Sequence, residues 1–286
     1  MSRIVYVNGC YLPEEQATVS VFDRGFLFAD AVYEVTAVVN GRLAEFDGHM
    51  ARLARSCAEL NLSLPVSTAE LRDIHLALIE KNRLEEGGIY LQLSRGSTGD
   101  RDFAFPHNAT PTLTLFTQSR PIIHHPNAET GIRVITCPDL RWHRRDIKTV
   151  SLLMACMAKA WAHEKGADDA WLVENGRITE GSSSNCYIVD TNGHLITRPL
   201  SHDILHGITR RALLQLAADN HLTVEERPFT PQEARCAKEA FISSATTFVW
   251  PVVEIDGTPV GDGKPGPITR QLREIYLAMI RQQTAA

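Results

Sequence analysis

Arg141-Trp142-His143-Arg144-Arg145-Asp146-Ile147-Lys148-Thr149-Val150 runs from an extended stretch into the apolar start of a helix. The other lysines (Lys81, Lys159, Lys165, Lys238 and Lys264) lie in polar helical or turn contexts. A lysine at 148 is partly desolvated and flanked by arginines. Both conditions favour the neutral amine, the form that condenses with a carbonyl to give an imine. The alternative is a surface lysine whose stem lies along apolar groups while its ammonium stays in water.

Working outward from that stretch, a strand is predicted at Ile132–Thr136, a helix from about Ser151 to Glu164, and strands at Ala170–Val173 and Asn185–Val189. Helices follow from about Ile208 to Asn220 and from Ile268, with a strand at Glu239–Ser243 between them. Upstream, Gln118 to Gly131 lacks periodicity and carries Pro121 and Pro126, which marks a linker. Before it, strands are expected at Ile4–Val7, Ala31–Val39 (closed by Asn40-Gly41), Ile89–Leu93 and Thr112–Phe116. Helices are expected at His49–Leu60 and from Ser67 to about Lys81, the latter with a capping-type start. The expected organisation is an α+β domain over 1–119, a linker over 120–131 and an α/β domain over 132–286.

Three further segments bear groups suited to one ligand. Ile178-Thr179-Glu180-Gly181-Ser182-Ser183-Ser184-Asn185 sets a carboxylate beside small polar residues in what reads as a loop between strands. A carboxylate can keep a pyridinium nitrogen protonated, while hydroxyls and N–H groups suit a phosphate; an ordinary hairpin after Asn175-Gly176 is the competing reading. Leu205-His206-Gly207-Ile208-Thr209-Arg210 opens a helix, where free N–H groups and the Thr209 hydroxyl suit a phosphate or where Thr209 is simply a cap. Ser243-Ser244-Ala245-Thr246-Thr247 offers more donors, or a turn.

Composition removes other classes. With 286 residues, 44% hydrophobic, 22% charged and a net charge of -5, the chain has room for two domains and no basic excess for nucleic acid. No apolar run is long enough for a membrane span and no signal segment opens the chain, so a cytoplasmic protein is expected. The six cysteines form no C-x-x-C pair and read as reduced thiols. Dinucleotide, P-loop and hydrolase-elbow motifs are missing. His202 and His206 lack a third ligand, so no metal is expected.

Taken in order, these pieces resemble the class IV, or fold-type IV, aminotransferases, and among them the D-amino acid branch. The resemblance runs through Phe22-Asp23-Arg24-Gly25, Ala31–Val35, His49-Met50-Ala51-Arg52-Leu53, Asp146-Ile147-Lys148, Thr179–Asn185 and Gly207–Arg210. It implies two domains, the second α/β-barrel-like, with pyridoxal 5'-phosphate in the cleft between them. By that resemblance Lys148 forms the Schiff base and Glu180 pairs with the pyridine nitrogen. Arg52, Ile208, Thr209 and the Ser244-Ala245-Thr246 segment bind the phosphate, with Ser183 and Ser184 among the cofactor contacts. Arg141 lies on the ring-hydroxyl side and Leu205 packs on the ring. Tyr33, Val35 and Arg101 are substrate residues.

Phe103 stands where the D-amino acid branch has a histidine two residues after the arginine, which weakens the carboxylate trap. The implied reaction is ping-pong transfer between a D-amino acid, such as D-alanine or D-glutamate, and a 2-oxo acid acceptor, in a homodimer. An (R)-amine transaminase, a branched-chain aminotransferase, an aminodeoxychorismate lyase and a non-catalytic cofactor-binding protein remain open at this stage.

Overall fold

The computed structural model describes residues 2–285, which divide into two compact units. The first takes in the chain up to Pro121, then Ile147–Ser151 and the stretch from Ile280; the second takes in Ile122–Asp146 and Leu152–Met279. This differs from a chain cut once at 120–131. Ile122 is fully buried in the second unit, and Pro126–Thr130 is a short helix whose start is capped by His125 Nδ1, which accepts from the Asn127 N–H at 3.2 Å. The return of Ile147–Ser151 to the first unit is a long-range pairing that no local pattern announces.

In the first unit, β1 (Ile4–Val7), β2 (Cys10–Pro13), β3 (Ala31–Val39), β4 (Arg42–Leu43), β5 (Gly87–Ser97) and β6 (Thr110–Ser119) form one antiparallel sheet, ordered β2-β1-β6-β5-β3-β4. The β-branched run of β3 suits a strand, and Asn40 and Gly41, at φ 53° and 69°, make the tight turn to β4. Along β3 the half-exposed Tyr33 and Val35 alternate with the buried Glu34 and Thr36.

Helix α1 (Arg24–Phe28) is short; α2 (Phe46–Glu59) and α3 (Thr68–Asn82) pack Leu53, Cys57, Leu71 and Leu78 into a core with Leu91 and Leu115 of the sheet. α2 buries His49, Arg52 and Ser56 on the same face as its apolar residues. At Gly96, φ is 86° and a Cβ would lie 1.8 Å from the Thr110 carbonyl oxygen. Only glycine fits the bulge there, from which the chain enters the loop carrying Arg101 and Phe103.

In the second unit, β7 (Ile132–Pro138), β8 (Asp169–Glu174), β9 (Arg177–Gly181), β10 (Asn185–Val189), β11 (Leu195–Thr197), β12 (Val224–Glu226), β13 (Glu239–Ser244) and β14 (Phe248–Ile255) form a mixed half-barrel sheet. Its order is β12-β11-β10-β13-β14-β7-β8-β9, with β15 (Thr258–Pro259) beside β14. The pairs β11/β12, β14/β7 and β7/β8 are parallel, and every residue of β10 is buried.

The Pro126–Thr130 helix is α4, followed by α5 (Leu153–Glu164), α6 (Ile208–Asp219), α7 (Pro231–Arg235) and α8 (Pro267–Gln283). Trp171, Ile178, Ile188 and Ile242 anchor the main core, while Ala158 and Ala162 of α5 pack on Ala170 and Leu172.

Candidate active site

Lys148 is fixed by its backbone. Its carbonyl accepts from the Tyr33 N–H at 2.9 Å, its N–H donates to the buried Ser56 Oγ at 3.3 Å, and Thr149 bridges to Val32 of β3. The side chain is half-buried, with Nζ 4.2 Å from the centre of the Tyr33 ring. Tyr33 in turn stacks on Tyr90, and Tyr90 on Phe116, at 5.5 and 4.9 Å between ring centres. Among the described residues the Lys148 amine makes no ion pair. The arginines that flank it in sequence do not surround it: Arg141 binds Asp139, Arg144 binds Asp146 and Arg145 binds Glu174.

Behind Tyr33 on the other face of β3, Glu34 is fully buried. Arg52 donates to it through Nε at 2.7 Å and Nη2 at 2.8 Å, and His49 Nδ1 lies 2.8 Å from the same carboxylate. Burial alone would raise Glu34, but the Arg52 guanidinium and His49 hold its carboxyl down at about 2. Burial pushes His49 below its ordinary value, toward neutral imidazole. Sequence reasoning found Arg52 and missed Glu34, although a charged residue at an inward position of an apolar strand was the available signal.

In the second unit Glu180 lies on β9 rather than in a loop, because the β8–β9 hairpin extends through Gly181. Its Oε1 accepts from Arg141 Nη1 at 2.6 Å; its Oε2 accepts from the Leu205 N–H at 3.0 Å and Asn185 Nδ2 at 3.2 Å. Arg141 also grips Asp139 through Nε and Nη2 at 2.9 and 2.7 Å, and Thr179 Oγ1 donates to Asp139 at 2.7 Å. Burial pushes Glu180 above the usual carboxylate range, with Arg141 pulling the other way.

Asn185 closes the same motif. It also donates to the Leu205 carbonyl at 3.0 Å, and a Cβ on Gly207 would lie 2.1 Å from its Oδ1. Gly207 is therefore required for close approach.

Gly207, not Thr209, is the N-cap of α6, and it supplies no side-chain acceptor, so the first-turn N–H groups of Ile208 and Thr209 keep their donors. Thr209 is buried, 3.5 Å from the Tyr276 hydroxyl. Ser244 Oγ meets Thr247 Oγ1 at 2.8 Å in the turn after β13, where Ala245 and Thr246 are half-exposed. Ser183 is exposed, whereas Ser184 is buried with an Oγ that finds no hydrogen-bond partner. In the first unit, the exposed Arg101 lies against the rings of Phe28 and Phe103 at 5.0 and 4.7 Å.

Pyridoxal 5'-phosphate suits this donor set. Lys148 has an amine without an acid partner, Glu180 is a buried carboxylate with fixed orientation, and the start of α6 and the orphaned Ser184 hydroxyl are donors for an anion. Each unit, taken by itself, carries groups of the kind a pyridoxal-phosphate-dependent enzyme uses.

The family model for class IV aminotransferases matches residues 31–255, and the chain belongs to that family. It is 40% identical over 283 residues to a D-alanine aminotransferase of Bacillus licheniformis, covering 98% of each chain. It is 39% identical over 273 residues to one from Staphylococcus aureus, covering 94% of this chain and 95% of the relative. A branched-chain aminotransferase from Thermoproteus uzoniensis, solved with norvaline, superposes with a TM-score of 0.88 at 26% identity, over 100% of this chain and 97% of that one. One from Escherichia coli gives 0.87 at 23% identity over 98% and 95%, a likeness of fold alone. Among the described residues no helix is long and apolar enough to cross a membrane.

Proposed function

We propose that the chain transfers the amino group of a D-amino acid, of the D-alanine or D-glutamate type, to a 2-oxo acid by a ping-pong mechanism centred on Lys148. The observation that carries this is the Lys148 amine, half-buried over Tyr33 and without an acid partner. Pyridoxal 5'-phosphate, when bound, supplies the aldehyde carbon that takes up the amino group and a ring that withdraws the electron pair from the substrate Cα. Lys148 Nζ is the covalent anchor and, once displaced by the substrate amine, the base that moves the Cα proton.

Glu180, oriented by Arg141, Asn185 and the Leu205 N–H, would accept a hydrogen bond from the ring nitrogen and keep it protonated. Arg52 and the N–H groups of Ile208 and Thr209 would hold the phosphate, with Ser244, Ala245 and Thr246 as further donors. Ser183 and Ser184 would contact the cofactor, and Leu205 would pack on the ring. Tyr33 and Val35, on one face of β3, shape the substrate side.

The D-direction is supported by the D-alanine aminotransferase relatives and by Arg101, which supplies a guanidinium for the carboxylate. A slow (R)-amine activity is a second reading, favoured by Phe103, which is 75% exposed and makes that corner apolar. A homodimer is supported by exposed Phe22, Phe26 and Phe105 in the first unit, and a cytoplasmic setting by six free cysteines.

A donor panel with pyruvate as acceptor tests the reading. D-alanine should be turned over in preference to L-alanine, and Arg101→Ala should raise the KM for D-alanine roughly ten- to a hundredfold, the size of one lost charged hydrogen bond. Faster turnover of L-amino acids would move the assignment to the branched-chain branch.

A further inference from the structure

The loop that carries Arg101 stands on a buried ionic platform that the chemistry at Lys148 does not use. Asp30 binds two guanidiniums at once: Arg24 through Nε at 2.8 Å, and Arg95 through Nε at 2.8 Å and Nη2 at 3.1 Å. Arg24 and Arg95 are 6% and 8% exposed, so two cations share one buried acid and their remaining donors must be used. Arg95 gives them to the carbonyls of Leu60 and Asn61 just past α2, at 2.8 and 3.2 Å. Arg24 gives Nη1 to the carbonyls of Asp102 and Ala104 at 2.6 and 3.3 Å, the residues on either side of Phe103.

Aromatic rings extend the platform to the loop surface. Phe105 lies over Arg95 at 4.3 Å and Phe28 over Arg24 at 4.6 Å. Phe28 and Phe103, 5.4 Å apart between ring centres, both support Arg101. Arg101 itself makes no hydrogen bond or ion pair among the described residues. A guanidinium resting on ring faces keeps its in-plane N–H donors for an anion.

We propose that Arg24 and Phe28 are positioning residues for carboxylate recognition: Arg24 grips the loop backbone around Phe103, and Phe28 backs the Arg101 guanidinium. The inference rests on the reading that Arg101 meets the substrate carboxylate. Ordering Arg101 before the substrate arrives removes an entropic cost from binding. In this chain the second ring at Phe103 supports the cation where a histidine donor would otherwise share the carboxylate.

The test uses the holoenzyme with D-alanine and pyruvate, comparing Arg24→Gln, Phe28→Leu and Arg101→Ala with the parent. Arg24→Gln should raise the KM for D-alanine about tenfold while kcat changes less than about twofold. Phe28→Leu should raise KM about threefold, the worth of one cation–ring contact. Trypsin cleavage after Arg101 should be faster by about tenfold in Arg24→Gln, reporting release of the loop without reference to turnover. If Arg101→Ala raises KM and neither Arg24→Gln nor Phe28→Leu does, the positioning role is wrong and the carboxylate reading stands. If Arg101→Ala leaves KM unchanged, the carboxylate reading fails and the inference with it. Parallel losses in kcat and KM would make Arg24 a general structural residue and overturn the proposal. Should Arg24→Gln not fold, Arg24→Lys and Phe28→Leu decide by the same criteria.

Discussion

Glu34 and Glu180 are both buried glutamates bound by an arginine, and they depart from the ordinary carboxylate range in opposite directions. Burial raises each. At Glu34 the Arg52 guanidinium, through Nε and Nη2, and His49 outweigh it and hold the carboxyl at about 2. At Glu180 burial prevails over Arg141, which also binds Asp139, and the Asp139 charge adds to the rise. The Arg52 and His49 contacts make Glu34 a clamp that keeps its charge, whereas at Glu180 burial outweighs Arg141 and leaves a more basic hydrogen-bond acceptor. The first suits a fixed support under Tyr33 and Lys148, and the second suits the partner of a ring nitrogen.

Removing the clamp should have the largest effect. Glu34→Gln leaves Arg52 buried with a neutral partner and should cost about 3–5 kcal/mol of stability, read from denaturant unfolding of the apoprotein. Glu180→Gln should cost at least about 2 kcal/mol less, since Asp139 still binds Arg141. Equal losses would erase the distinction between the two acids.

The pH dependence separates them further. Glu34 is depressed in the fold, so its stabilising contribution is present above its ordinary value of 4.5 and is lost as pH falls toward about 2. Glu180 is raised, so its contribution is present below the ordinary value and is lost as pH rises through its folded one. Acid unfolding between those limits should flatten in Glu34→Gln and not in Glu180→Gln.

Activity should reverse the order of the two acids. Glu180→Gln should lower kcat roughly a hundred- to a thousandfold, as loss of a preorganised charged partner does, while cofactor stays bound through its phosphate contacts. Loss of cofactor in proportion to activity would make Glu180 structural. A smaller effect is expected at Gly207→Ala, whose Cβ would press on Asn185 Oδ1. Displacing Asn185 loosens Leu205 and Glu180 together, at about 1–3 kcal/mol of stability and a several-fold drop in kcat. An unchanged kcat would detach Asn185 from the site.

What could be read along the chain was whatever a linear pattern records. The Lys148 stretch, the Thr179–Asn185 motif and the glycine before Ile208 announced themselves by residue type and order, and β3, α2 and α3 by periodicity. What escaped depended on distant partners. Glu180 read as a loop residue because the small residues that follow it look like a turn, yet pairing of Gly181 with Trp171 continues β9 through Glu180. Strand β14 is obscured by Pro251, which lacks an N–H and pairs by register with Phe241. The Arg24–Asp30–Arg95 platform joins residues 65 or more positions apart, except for its short Arg24–Asp30 link.

The central claim is that Lys148 carries the cofactor. Borohydride reduction of the holoenzyme, followed by proteolysis and mass mapping, tests it most directly among the lysines of the chain. The account predicts the reduced pyridoxyl mass on Lys148, abolished in Lys148→Ala together with transamination. A reduced cofactor mapped to Lys81, Lys159, Lys165, Lys238 or Lys264, or retained in Lys148→Ala, would contradict it.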